Sequence, residues 1–134
     1  MKQDHISNAL NSLKNASNAG HQKIILKNSK TVLKILKIFQ QCNYISKVEK
    51  KNDRFLVVYI KYKGWWAKNT TFSKIVRISK PSLRKYSGYK SFGSYLIKHK
   101  PIEGVAVVST SMGILNTKEA EFLKLGGELL CYIS

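Results

Sequence analysis

Three adjacent hydroxyls and a glycine, in the run Ser109-Thr110-Ser111-Met112-Gly113, have the types and spacing best suited to recognition chemistry in this sequence. Each hydroxyl can donate to a phosphate oxygen or accept from a sugar hydroxyl. Gly113 lets a backbone approach closely. Upstream, Lys80, Arg84 and Lys85 are candidates to hold phosphates, and Tyr86 to pack on a ribose or an exposed base. Read alone, the pentapeptide is an ordinary turn. Bond-making chemistry finds little support: His5, His21 and His99 are scattered, and no nucleophile stands beside a base. No phosphate-cradling glycine loop or pair of carboxylates occurs. Cys42 and Cys131 lack the paired spacing of a zinc or redox motif and lie in apolar stretches, so both read as small buried hydrophobes in a reducing compartment. No metal, cofactor or small-molecule substrate is expected.

Charge points the same way as the hydroxyls. The 134 residues hold 24 Lys+Arg against 7 Asp+Glu, a formal net charge of +17. Such an excess repels itself in a compact fold and suits a polyanionic partner: RNA, DNA or an anionic membrane surface. The cations run from Lys14 and Lys23 to Lys98, Lys100 and Lys124, which fits a globular body against folded nucleic acid better than a short basic tail. No apolar run approaches the length of a membrane-spanning helix, and the N-terminus lacks the apolar core of a signal peptide.

The elements that must position these residues follow from periodicity. Asp4 can cap a helix carrying Ile6, Leu10 and Leu13 at helical spacing, stopped by Asn18, Ala19 and Gly20. Ile24-Ile25-Leu26 reads as a strand. Ser29 then caps a second helix with the stripe Val32, Ile35, Leu36 and Phe39. Segments 44–50 and 54–62 read as a hairpin around Lys51-Asn52-Asp53, and the apolar run 55–60 as a central strand covered on both faces. A further strand is expected over 72–79, a short helix over 92–97, and a strand over 104–110. Asn116 with Glu119 opens a helix through Leu125, closed by Gly126, before a last strand over 127–133. The expected class is α+β: two small, tightly packed halves. Residues 1–79 place helices on a three-stranded sheet, and residues 80–134 form a mainly antiparallel β half with a short helix.

Specific signatures lie in the second half. The stretch Gly104-Val105-Ala106-Val107-Val108 runs into the hydroxyl pentapeptide and Ile114-Leu115, and the chain closes with Leu125-Gly126-Gly127-Glu128-Leu129-Leu130-Cys131-Tyr132-Ile133. With Arg77-Ile78-Ser79-Lys80-Pro81-Ser82-Leu83-Arg84-Lys85-Tyr86, these resemble the universal small-subunit ribosomal protein S-eight family in its bacterial and organellar form. The start agrees, with Asp4-His5-Ile6 followed by Leu10, Leu13, Lys14, Asn15 and Ala16, and so does Ser29-Lys30 before the second helix. The resemblance implies a non-enzymatic structural constituent of the small ribosomal subunit that binds the central domain of its ribosomal RNA, aids assembly and serves translation. It implies main contacts through Ser109, Thr110, Ser111 and Gly113, with Lys80, Pro81, Arg84, Tyr86 and Glu128. Further contacts are implied near Lys14, Asn15, Ser29 and Lys30. Neighbouring small-subunit proteins, S-five among them, are the implied protein partners.

Structured RNA is read largely by shape, through phosphates, 2′-hydroxyls and a shallow minor groove, and these residue types suit that task. Two departures from the family pattern stand out, at Met112 and Ser82. Met112 replaces a usual Lys or Arg and removes one phosphate contact, and Ser82 replaces a usual Gly. Glu128 is a carboxylate near RNA; it either orients the hydroxyl loop, accepts from a base edge, or is simply exposed. Trp65 and Trp66 lie in a longer loop than usual, where they either cap the local core or meet RNA or a protein neighbour. Residue types with A+T-rich codons, and a match beginning almost at Met1, fit a ribosome in the mitochondrial matrix, with a plastid or a bacterial cytoplasm as alternatives.

Two other functions compete. A small basic RNA-processing enzyme would need a general acid or base, for which His99 between Lys98 and Lys100 is the one weak candidate. A non-specific nucleic-acid or membrane-surface binder would be indifferent to Ser109, Thr110 and Ser111.

Overall fold

The computed structural model describes residues 5–62, 72, 75–80, 82–92 and 104–133. Two compact units divide the chain, Met1–Ser73 and Lys74–Ser134, and each builds its own sheet. Among the described residues no helix is long and apolar enough to cross a membrane.

The first unit contains α1 (His5–Ala19), β1 (Lys23–Lys27), α2 (Lys30–Gln41), β2 (Ile45–Lys50) and β3 (Phe55–Ile60). Helical spacing puts Ala9, Leu10, Leu13 and Ala16 on the buried stripe of α1, and Val32, Ile35, Leu36 and Phe39 on that of α2. Each fully enclosed side chain of this kind, such as Leu13 or Phe39, contributes about 1.5–3 kcal/mol through burial. Asp4, the expected cap of α1, lies outside the described residues. Ser29 holds the N-cap position of α2 with extended backbone, but its side chain makes no capping bond, contrary to the sequence expectation. Only its carbonyl joins the helix, accepting from Leu33 N–H at 2.9 Å. The helix closes on Asn43, whose φ of 64° lets Tyr44 N–H reach back to the Phe39 carbonyl at 2.9 Å.

The three strands pair antiparallel in the order β1-β3-β2, with α1 against β1 and α2 against β2. The expected hairpin forms because Asn52 Oδ1 accepts from Arg54 N–H at 2.8 Å and from Phe55 N–H at 3.0 Å. The central strand corrects one expectation. Leu56, Val58 and Ile60 are buried under the helices, whereas Val57 and Tyr59 are half-buried and Phe55 is exposed. Its apolar run therefore does not mark a strand covered on both faces, because this unit's helices cover one.

The second unit contains β4 (Ile75–Arg77), β5 (Tyr86–Ser87), a 3-10 turn at Tyr89–Ser91, β6 (Val105–Thr110), β7 (Gly113–Asn116), α3 (Thr117–Phe122) and β8 (Gly127–Ile133). The sheet order is β4-β8-β6-β7, with β5 also beside β8. The strand expected over 72–79 is thus shorter, and it pairs with β8 in the second sheet. Ile78, Phe92, Ala106, Val108, Ala120, Leu129 and Tyr132 form the core of one sheet face. The expected capping of α3 is present: Asn116 Oδ1 accepts from Glu119 N–H at 2.8 Å, and the Asn116 amide donates to Glu119 Oε1 at 3.1 Å. The helix ends earlier than expected. Lys124, with φ 59°, makes the left-handed close in place of Gly126. Gly126 is small for another reason, since a Cβ there would lie 2.7 Å from the Ser87 carbonyl oxygen.

Cys131 is fully buried and its thiol is pushed up to about 12 by that burial, so it is inert at neutral pH. Cys42 is only half-buried, because it caps the C-terminus of α2. The helix expected over 92–97 lies outside the described residues beyond its buried first residue, Phe92. Trp65, Trp66 and His99 also lie outside them.

Candidate nucleic-acid interface

Strand register assembles residues that are distant in sequence. Tyr86 on β5 stands opposite Glu128 on β8, Glu128 opposite Ser109 on β6, and Ser109 opposite Ile114 on β7. Directly opposed residues share a sheet face, so the four make one row across four strands, spanning about 14 Å at the usual strand spacing. Tyr86 is 71% exposed at one end of this row.

At the edge of the row, β6 turns into β7 through Ser111 and Met112, both exposed. Thr110 organises the turn: its hydroxyl donates to the Gly113 carbonyl at 2.8 Å and accepts from Met112 N–H at 3.2 Å. With its proton committed, Thr110 can offer an incoming group only its remaining lone pair, and so suits a 2′-hydroxyl rather than a phosphate. The hydroxyls of Ser109 and Ser111 make no hydrogen bond among the described residues and keep both donor and acceptor capacity. Gly113 has φ 112° and open space where a Cβ would stand, so the turn needs glycine and leaves the backbone approachable. Gly127 presses the start of β8 against the turn; a Cβ there would collide with the Ser109 carbonyl.

Around Glu128 lies a side-chain network. Ser79 is fully buried; its hydroxyl donates to Glu128 Oε1 at 2.8 Å and accepts from Lys85 N–H at 3.2 Å. Arg84 Nη1 donates to the same carboxylate oxygen at 2.8 Å. Arg77 Nε donates to the Ser79 carbonyl. Lys80 and Leu83 exchange backbone bonds of 2.9 and 3.0 Å, closing a tight turn, and Leu129 N–H donates to the Lys85 carbonyl at 2.9 Å. The segment carrying Lys80, Arg84, Lys85 and Tyr86 is thereby strapped to β8. Burial pushes the Glu128 carboxyl up, but the bonds from Arg84 and Ser79 and the charges of Arg84 and Arg77 outweigh it and hold the group below its ordinary value. Glu128 is ionised at neutral pH, with its side chain 15% exposed.

The network bears on two expectations. Glu128 is neither solvent-exposed nor bonded to the hydroxyl loop; it orients Ser79 and Arg84. Arg84 spends one guanidinium nitrogen on that carboxylate, which leaves less of its donor fork for a phosphate.

A hydroxyl turn, an exposed tyrosine and strapped cations on one sheet agree with the signatures read from sequence, and comparison with known proteins decides the family. The family model described as ribosomal protein S8 matches residues 4–134. The chain belongs to the ribosomal protein S8 family. Small ribosomal subunit protein uS8c of Gracilaria tenuistipitata var. liui is 36% identical over 136 residues, covering 99% of this chain and 99% of that one. Small ribosomal subunit protein uS8 of Trichormus variabilis is 35% identical over 133 residues, covering 97% and 96%. The uS8 of Phocaeicola vulgatus is 36% identical over 133 residues, covering 97% and 98%.

In this S8 chain the structure brings together Lys80, Arg84, Tyr86, Ser109, Thr110, Ser111, Gly113 and Glu128 within the second unit; Pro81 lies outside the described residues. Lys14, Asn15, Ser29 and Lys30 belong to the first unit. Lys14 and Asn15 are exposed on α1, Lys30 is exposed at the first position of α2, and Ser29 is half-buried before it. Ser79 is the residue that sequence reasoning missed as a member of the site. Its signal is a lone small hydroxyl directly after the apolar position Ile78 in a strand-like segment, where a buried polar group must find a partner.

Proposed function

We propose that this S8-family protein binds the central domain of small-subunit ribosomal RNA through Ser109, Ser111 and Tyr86, and that it guides folding of that RNA during assembly. Membership in the family makes the chain a structural constituent of the small ribosomal subunit, acting in translation, and not an enzyme. The observation that carries the RNA reading is the row Tyr86–Glu128–Ser109, held at Glu128 by the buried Ser79 and ending at a turn whose backbone is open at Gly113. A ribose or an unstacked base packs on Tyr86, the hydroxyls of Ser109 and Ser111 meet phosphate and 2′-hydroxyl groups, and Thr110 accepts. Lys80 and Lys85 neutralise phosphate, with the Arg84 guanidinium beside them adding positive charge. Lys14, Asn15, Ser29 and Lys30 add contacts from the first unit. Met112, 70% exposed, stands where a cation would add another.

Neighbouring small-subunit proteins, S-five in particular, complete the partner set in this reading. We place the ribosome in the mitochondrial matrix on the strength of the residue composition; cosedimentation of the chain with ribosomes from purified mitochondria tests that placement. The RNA reading is tested by equilibrium binding of the purified chain to its own organism's central-domain fragment and to an unrelated RNA of equal length. The expected result is strong preference for the ribosomal fragment in moderate salt.

A further inference from the structure

We infer that the open face of the N-terminal sheet is a second RNA-binding surface, one that stacks unpaired bases on Phe55 and Tyr59 between flanking lysines. The helices of this unit cover the face that carries Leu26, Leu56 and Val58, all buried. Register fixes what the other face carries. Tyr59 lies between Lys23 on β1 and Lys47 on β2, Val57 between Ile25 and Glu49, and Phe55 opposite Lys27. Opposed residues share a face, so the middle strand offers an aromatic–aliphatic track and both outer strands offer cations. Ile25 is 53% and Phe55 41% exposed, while Val57 and Tyr59 are half-buried.

Phe55 and Tyr59 are four residues apart on one strand, about 13 Å, with Val57 between them. Aromatic rings on an open sheet with cations alongside are the physical recipe for holding single-stranded RNA: bases stack on the rings while lysines follow the phosphates. The acid on this face does not spoil it. Lys47 Nζ lies 2.5 Å from Glu49 Oε1, and Tyr59 Oη donates to Glu49 Oε2 at 3.4 Å. The Lys47 ammonium also sits 5.8 Å from the centre of the Tyr59 ring, so the trio fixes the ring and neutralises the carboxylate. Among the described residues, Lys23, Lys27 and Lys47 stand on this face with one glutamate, an excess of cations complementary to RNA and repulsive to a basic protein neighbour. None of these residues belongs to the row on the second sheet, so the two sites stand or fall separately.

The test is fluorescence anisotropy of the full chain with a labelled oligouridine of about ten nucleotides, within the site sizes of single-strand platforms. In the folded variants, Phe55→Ala and Tyr59→Ala should each weaken binding about tenfold, the scale of one lost base stack. Tyr59→Phe keeps the ring and should bind nearly as wild type. Glu49→Gln removes the acid and should bind a few-fold tighter, whereas Ser111→Ala should leave oligouridine binding alone. Ultraviolet cross-linking to uridine should mark peptides carrying Phe55 or Tyr59. Wild-type affinity in a folded Phe55→Ala protein, or cross-links confined to residues 75–133, would overturn the proposal. So would cross-linking of this face, in assembled subunits, to a protein and not to RNA.

Discussion

Each unit carries candidate RNA contacts, and the two hold them differently. Lys14, Asn15 and Lys30 are exposed side chains on helices, with no hydrogen bond among the described residues. In the second unit the backbone that presents Ser109, Ser111 and Tyr86 is tied down instead. Ser79 and Arg84 grip Glu128, Thr110 locks its own turn, and Lys85 bonds β8 through its backbone. Fixed groups lose little freedom on binding and can discriminate shape, whereas loose lysines supply mainly salt-sensitive attraction. On the proposed reading, this contrast gives specificity to the second unit and general affinity to the first.

The largest expected effect comes from breaking the fixed side. Gly127→Ala forces a methyl group into the Ser109 carbonyl, so the turn or the strand must shift. The stability loss, read from chemical denaturation, should be about 1–3 kcal/mol, as for other overpacked sites, and specific RNA affinity should fall with it. Acidification probes the same network more gently. Glu128 binds protons less readily in the folded state than an ordinary glutamate does. Its contribution to stability is therefore full above the ordinary value of about 4.3 and is lost as pH falls through its lowered folded value. Glu128→Gln should be less stable than wild type at neutral pH, and melting curves should show the gap narrowing below about pH 4. A constant gap would mean that the carboxylate charge contributes nothing. On the loose side the effect is smaller: Lys30→Ala should weaken all RNAs alike and flatten the slope of affinity against salt by about one unit. A loss confined to the ribosomal fragment would erase the contrast.

How much of this was legible in the sequence depends on the range of the interaction. The stripes on α1 and α2, the β2–β3 hairpin, the Asn116–Glu119 cap and the final strand all follow from neighbours within a few positions, and they appear where periodicity places them. The family signatures likewise name Ser109, Ser111 and Tyr86 as candidates, and the sheet carries them on β6, its turn and β5. Long-range pairing was not readable. Nothing near 75–77 says that this strand bonds β8, and nothing near Glu128 says that its partners lie 44 and 49 residues earlier. Local rules also overcalled two roles. Ser29 fits a cap by type yet leaves its hydroxyl out of the helix, and Gly126 reads as a helix stop although Lys124 makes the turn. The glycine answers to the Ser87 backbone, which only the fold brings near.

The most direct test of the division between fixed and loose contacts is the specificity ratio, the affinity for the central-domain fragment over that for an unrelated RNA of equal length. It should be measured for wild type, Ser111→Ala and Lys30→Ala at one salt concentration. Ser111→Ala should lower the ratio by roughly tenfold, on the 1–3 kcal/mol scale of a specific contact, while Lys30→Ala lowers both affinities and leaves the ratio unchanged. An unchanged ratio in Ser111→Ala, or a collapse of the ratio in Lys30→Ala, would contradict the account.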